Sequence, residues 1–320
     1  MAVDVATLIN LLKIKREAEG HSLRGLSSII GVSFSSLARI ERGEGQPDNN
    51  SMIRILEWLG QDGKDANLTF EDVALVHFRA NKNIQSRTVG CLMKIAEMLK
   101  LESGVQAYRQ LPTHREETFT NSALPDTLSL SKADMEERAL NLREQVGVEP
   151  DAPLDALDIE IEGVDVLVPS ELQGLDQKCL NHLYGAGVGE WSAMSVPLDE
   201  VGDSWAIVRN DQHTMVRQKV TYLEECWHIL LGHRLTKIAK ISDSYGRTYD
   251  SDEEHDAYYL AGATLVPGAA VVTAVSSGQA DLLASKFGVS KELVEYRIKR
   301  LGLWSAYKGK EVKIAPKGQS

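Results

Sequence analysis

The chain has 320 residues, 43% hydrophobic and 25% charged, with a net charge of −11. These values suit two or three globular domains and exclude a chain that coats nucleic acid along its whole length. No apolar run approaches the ~18 residues of a membrane span. The opening MAVDVATLINLLKIKREAEG lacks the charge order of a secretory leader. Three scattered cysteines, Cys91, Cys179 and Cys226, predict no disulfide framework, so a cytoplasmic protein is expected.

Residues 5–60 read as about five short helices, beginning with Val5, Leu8, Ile9 and Leu12 at helical spacing. Ser22 precedes LRGLSSIIG, Gly31-Val32-Ser33 makes a tight turn, and FSSLARIERG comes next as a second helix that Gly43 can stop. A helix, a short turn with glycine and a second helix opened by serine is the helix-turn-helix arrangement. Residues 1–60 hold seven Lys or Arg and seven Asp or Glu, so the rest of the chain carries the net negative charge. A neutral domain with its cations on one surface can still meet phosphates.

The segment SLRGLSSIIGVSFSSLARIERG resembles the Xre/Cro-type helix-turn-helix of phage repressors. The resemblance implies double-stranded operator DNA as a partner, with the second helix in the major groove. Phe34, Ser35, Ser36 and Arg39 would then face base edges or sugar, and Arg42 with the loop around Asn49 and Asn50 would face phosphates. Proteins of this kind bind paired half-sites, so a homodimer is expected.

Residues 60–83 open polar and are predicted to become helical through EDVALVHFRANKN; a further helix is predicted over 86–102. The two read as a connector or dimerisation element. Residues 103–129, with Gly104, Pro112, Ser122 and Pro125, show little periodicity and carry the main boundary. The expected domains are therefore 1–62, a connector 63–130, a second domain 131–308 and a tail 309–320.

From 131 the reading runs through a capped helix, SKADMEERALNLREQVG, and strand-like alternation at Ile159, Ile161, Val164, Val166 and Val168. Two short strands are predicted in WSAMSVPLDEVGDSWAIVRN. RQKVTYLEECWHILLGH then gives an amphipathic helix, and KISDSYGRTYDSDEE a polar loop. HDAYYLAGATLV is a helix ending at Pro267. ADLLASKFGVSKELVEYRIKRLGL repeats the helix-turn-helix pattern around Gly288-Val289-Ser290. Leu293, Val294, Ile298 and Leu301 are spaced there for packing, so a packed pair of helices is preferred to a second DNA reader.

The helix from Arg217 carries Glu224, Glu225 and His228 in the frame of the zinc-peptidase motif H-E-x-x-H, with glutamate in the first histidine's place. Residues four apart share a helix face, so 224 and 228 can aim at one ion. Glu225, roughly 100° around the helix, stands where a carboxylate takes a proton from metal-bound water. The alternative is a carboxylate–imidazole hydrogen bond between Glu224 and His228.

Residues 131–305 resemble the ImmA/IrrE family of bacterial metallopeptidases. Arg217, Val220, Thr221, Glu225, His228, Leu230, Gly232 and His233 match the family helix, and Asp256-Ala257 with Leu265-Val266-Pro267 matches its later acid-bearing helix. The resemblance implies a divalent metal held by Glu224, His228 and Asp256, with Glu225 as general base and a repressor or peptide as substrate. Two carboxylates and one imidazole form a harder donor set than His, His and acid, shifting preference from zinc toward manganese. Asp256 can equally be an ordinary acid near the start of its helix. The expected fold is an all-α helix-turn-helix domain plus an α+β zinc-peptidase-like domain. The expected function is transcriptional control with the second domain sensing a signal or binding metal, or else cleavage of a partner repressor.

Overall fold

A computed structural model of the chain describes residues 4–68, 71–80, 84–103, 130–199, 201–241, 244–247 and 251–309. In chain order its first elements are α1 (Val5–Ala18), α2 (Leu23–Ile30), α3 (Phe34–Glu41), α4 (Asn49–Leu59), α5 (Gln61–Asp65), β1 (Glu71–Ala80), α6 (Ser86–Glu102) and α7 (Lys132–Gln145). Next come β2 (Val164–Leu167), α8 (Gln177–Leu183), β3 (Trp191–Pro197), β4 (Trp205–Arg209), α9 (Met215–Leu231), β5 (Thr236–Ile241) and β6 (Ser244–Arg247). The last are α10 (Ser251–Leu265), α11 (Gly268–Ser276), α12 (Leu283–Phe287), α13 (Lys291–Arg300) and α14 (Trp304–Tyr307). Among the described residues no single helix is long and apolar enough to cross a membrane.

The elements group into two compact units, each assembled from separated stretches. The first takes 1–99, 172–191 and 234–250; the second takes 100–171, 192–233 and 251–320. This differs from the contiguous domains drawn at 62 and 130, because α8 and the β5–β6 hairpin pack with the N-terminal elements while their sequence neighbours do not.

In the first unit, the helices of residues 5–59 close on Leu8, Leu12, Leu26, Leu37, Ile53 and Leu59, none of which is solvent-exposed. Polar caps fix where the helices begin. Ser22 accepts from the Gly25 amide at 3.0 Å, and Asp48 accepts from the Ser51 amide at 2.8 Å, each satisfying a donor the helix itself leaves open. Arg16 of α1 pairs with Glu41 at the end of α3 through contacts of 2.5 and 2.9 Å and donates to the His21 carbonyl at 3.0 Å. That bidentate, largely buried pair sets the angle of α3 against α1.

Residues 71–80 form a strand, which corrects the helix expected there. Ala74, Val76 and Phe78 are buried with a period of two, and the strand pairs antiparallel with β5. The predicted polar loop after α9 is likewise corrected. Its first two residues, Lys240 and Ile241, end β5, Ser244–Arg247 form β6, and its residues from Ser251 belong to α10. β5 and β6 make an antiparallel hairpin whose strands of six and four residues are too short for a periodic signal. The hairpin docks on α4: Lys237 pairs with Glu57 at 2.7 Å, Asn49 donates to the Tyr245 carbonyl at 3.3 Å, and the Arg247 amide donates to Asn50 at 2.8 Å. Gly246 permits the approach, since a Cβ there would lie 2.5 Å from the Asn49 carbonyl oxygen.

The expected absence of a disulfide is also corrected. Cys91 of α6 and Cys179 of α8 are bonded, 88 residues apart in sequence with Cα atoms 5.3 Å apart. Sequence spacing carries no sign of that adjacency, and the scattered cysteines no longer argue for a reducing compartment. One turn along both helices, Thr88 lies 2.7 Å from His182 Nε2 and donates to Glu190 at 2.6 Å. Burial pushes the His182 imidazole below its ordinary pKa, and nearby Arg87 acts in the same direction.

In the second unit, β4 lies between β2, to which it runs parallel, and β3, to which it runs antiparallel. Of the strand predicted from Ile159 to Val168, only Val164–Leu167 forms, because Gly163 turns the chain at φ +76° just before it. α7, α9, α10 and α13 share a core that includes Leu223, Trp227, Leu260 and Ile298. Three buried polar clamps hold these helices. Arg143 donates to the carbonyls of Thr264, Glu149 and Ala152. Arg297, with no exposed surface, donates to both Glu136 oxygens at 2.6 and 2.7 Å and to the Val266 carbonyl at 3.0 Å. Tyr259 donates to Glu136 at 2.6 Å, and burial with that carboxylate pushes its phenol up to about 12.

Candidate functional site

Two places carry the residues singled out by sequence. The first is the outer face of α3. Ser33 caps the helix, accepting from the Ser36 amide at 3.1 Å, and Gly31 before it holds φ +64°, which a side chain rarely adopts. Arg54 of α4 donates to the Gly31 carbonyl and braces the turn. Phe34, Ser35 and Arg39 face outward, and Ser36 is half-buried. Arg39 lies along the loop after the helix, where a Cβ on Gly45 would sit 3.3 Å from its guanidinium. Arg42 is exposed and paired with Glu44 at 2.7 Å. An exposed pair of this kind contributes about 0–1 kcal/mol, so it opens readily to a phosphate. Asn49 and Asn50, expected to face phosphates, have their amide groups engaged by β6 instead.

The second place is the inner face of α9. Glu224, Glu225 and His228 are 2%, 1% and 6% exposed, within a stretch, residues 221–228, that is buried on all sides of the helix. α9 is held in rotation by Tyr222, which donates to the Ile159 carbonyl at 2.6 Å, and by Trp227, which donates to Thr264 at 3.1 Å. Glu225 accepts a hydrogen bond from Ser195, fully buried on β3, and Arg217 donates to Ser192 of the same strand at 2.8 Å. His228 Nδ1 lies 2.9 Å from His233 Nδ1, so one of the two nitrogens carries the shared proton. The Nε2 side of His228 faces Glu254 of α10 at 3.7 Å.

A metal centre with three protein ligands needs three donors around one point. Among the described residues, no three His, Cys, Asp or Glu side chains are so gathered. Glu224, His228 and Asp256 are therefore not gathered as such a group among the described residues. Glu254 of α10 lies 3.7 Å from His228, and Asp256, two residues later, is half-buried on the same helix. His255 points outward, as its place on the helical wheel implies. Sequence reading missed Ser195, Glu254 and the contact of His233 with His228. The run Asp252-Glu253-Glu254-His255-Asp256 offered several acids with nothing to rank them. Ser195 was visible only as an inward position of a predicted strand.

Comparison with known families decides what these two places belong to. Residues 12–62 match the family model described as Helix-turn-helix, and residues 185–299 match that of the IrrE N-terminal-like domain. The chain joins a DNA-binding helix-turn-helix to an IrrE-like domain. No curated protein and no solved structure matches it. The helix-turn-helix match contains α2 and α3 with their serine caps. The IrrE-like match contains α9, α10 and all three buried groups on the inner face of α9. The IrrE-like match thus includes the helix that carries Glu224, Glu225 and His228. On that helix Glu225 accepts a hydrogen bond from Ser195, and His228 meets His233.

Proposed function

We propose that the protein is a transcriptional regulator whose helix-turn-helix binds an operator as a homodimer. In this reading the IrrE-like domain senses a signal and does not hydrolyse peptides. The observation that carries the reading is the engagement of the α9 groups within the protein. Glu225 accepts from Ser195, and His228 meets His233 and Glu254. A general base must be free to take a proton from the attacking water, and a ligand histidine must present a nitrogen lone pair to the ion. Here both groups have protein partners, and Glu224 stands where the family has a histidine.

The chain itself supplies a path from sensor to reader. The β5–β6 hairpin that docks on α4 begins three residues after His233 and ends four residues before α10. A ligand that favours a different arrangement of α9 and α10 is expected to change operator affinity, and a differential affinity for the two arrangements is all that such control requires.

The competing reading is a metalloendopeptidase that cuts a partner repressor, with a divalent ion, zinc or manganese, on Glu224, His228 and Asp256 and Glu225 as base. Metal analysis of the purified full chain separates the two. We expect far less than one equivalent of transition metal, and operator binding that survives EDTA. About one equivalent per chain, lost in His228→Ala, together with cleavage of a repressor that Glu225→Gln abolishes, would overturn the sensor reading.

A further inference from the structure

We infer that Phe34 is the residue of α3 that sets sequence specificity, and that it does so by reading the C5-methyl group of a thymine in the major groove. This rests on the reading of α3 as the helix that enters the groove.

The serines beside it offer little discrimination. Ser33 Oγ accepts from the Ser36 amide at 3.1 Å, donates to Ser36 Oγ at 2.8 Å and lies 3.1 Å from Ser35 Oγ. Three neighbouring hydroxyls thus form one cluster at the start of the helix, used first to cap it. A hydroxyl is donor and acceptor at once, so such a cluster suits any base edge and discriminates little. Arg39 reaches along the loop beside Gly45, a direction suited to sugar and phosphate.

Phe34 is different in kind. It is the first residue of α3, the end of a recognition helix that meets base edges, and it is 44% exposed. The Arg24 guanidinium, from α2, stands 5.3 Å from the ring centroid, so a cation–π contact holds the ring while its apolar edge stays in solvent. A benzyl group has no hydrogen-bonding atom. The one apolar group on the major-groove edge of a base pair is the thymine methyl. A lone exposed phenylalanine elsewhere on a protein needs no explanation; this one is fixed at the tip of the reading helix, among serines that cannot specify.

Operators are selected from a random DNA pool with the full chain and with its Phe34→Ala variant. Each thymine of the selected half-site is then replaced in turn by deoxyuridine, which removes only the methyl. We expect one position per half-site where that replacement weakens wild-type binding about fourfold, the worth of one buried methyl group. Phe34→Ala should bind the thymine operator more weakly and show no response to uracil, while Phe34→Leu recovers part of the response. Equal wild-type affinity for thymine and uracil at every position overturns the assignment, as does a thymine preference that persists in Phe34→Ala. A wild-type chain that enriches no DNA overturns the reading of α3 itself, and the assignment with it. Because Phe34 is outside the core, thermal unfolding of the variants should match wild type.

Discussion

Gly31-Val32-Ser33 and Gly288-Val289-Ser290 are the same tripeptide in the same conformation. The glycines sit at φ +64° and +62°, the valines are 3% and 7% exposed, and each serine accepts from the amide three residues on, Ser36 in one case and Leu293 in the other. The helices that the two turns open are unlike. α3 shows Phe34, Ser35 and Arg39 to solvent and keeps Leu37 and Ile40 inside. α13 shows Lys291, Glu292 and Lys299, leaves Arg300 half-buried, and turns Arg297 wholly inward onto Glu136. Lys299 is drawn toward Glu295 at 3.6 Å and stands 4.2 Å from the Trp304 ring centroid. A turn therefore specifies a backbone, and the outward residues of the second helix decide whether that backbone meets DNA. Acids at 292 and 295 would face phosphates with the wrong charge, which favours the packing reading of the second copy.

The two helices should part most sharply at their arginines. Arg297→Met leaves the Glu136 carboxylate and the Tyr259 hydroxyl without their buried cation, a loss of about 3–5 kcal/mol in urea unfolding. Because replacing both partners by apolar residues is far milder than removing one, Arg297→Met with Glu136→Leu should recover much of that loss. No recovery would mean that the clamp does not act as a pair. Arg39→Ala, on an exposed face, should change stability by less than about 0.5 kcal/mol.

DNA affinity should rank these helices the other way. Arg39→Ala is expected to weaken operator binding about tenfold, within the range for one lost base or phosphate contact. Lys299→Ala should change it less than about twofold, since a residue off the interface contributes no released counterion. Equal losses in both variants would make α13 a second reader.

A smaller difference separates the two glycines. Gly31→Ala and Gly288→Ala each force an L residue into the left-handed region, at about 1 kcal/mol or more. Gly31→Ala should be the worse, because its Cβ would lie 2.8 Å from the Arg54 guanidinium that braces the turn, whereas nothing lies near Gly288. Equal melting temperatures for the two variants would remove the role given to Arg54.

Legibility from sequence obeys a physical rule in this chain. The helix-turn-helix could be read because its signals are local: a cap, a left-handed glycine and a helical period, all close together in the chain. The frame of α9 was legible for the same reason, whereas the burial of all of 221–228, and not of one face alone, was not. Relations between distant segments were not legible. Ser195 beneath Glu225 and Cys179 beside Cys91 depend on which strand or helix lies alongside. Asn49 and Asn50 read as phosphate contacts from local position alone, while their actual partners on β6 lie far along the chain. β1 was misread because the buried polar His77 interrupts the alternation of Ala74, Val76 and Phe78, and the hairpin strands were missed because six and four residues are too few to show a period. The nearness of Glu254 to His228 was not read, because a helix wheel cannot say which of several acids faces a neighbour.

The finest distinction between the twin turns comes from a substitution that keeps both caps. Aspartate caps a helix as well as serine and suits the positive end of its dipole, so Ser33→Asp and Ser290→Asp should each change stability by no more than about 0.5 kcal/mol. The Ser290 variant should lie on the unfavourable side, because Glu292 stands two residues later and already accepts from that capping turn. Their effects on DNA should separate completely. At position 33 the new carboxylate enters the hydroxyl cluster at the tip of α3, where it would face the negative edge of the duplex. Affinity for the selected operator should fall, and fall further at low salt, where repulsion is least screened. At position 290 the same charge should leave DNA binding unchanged. Two proteins of matched stability and composition would then differ in one activity, through the surface on which an identical turn happens to open.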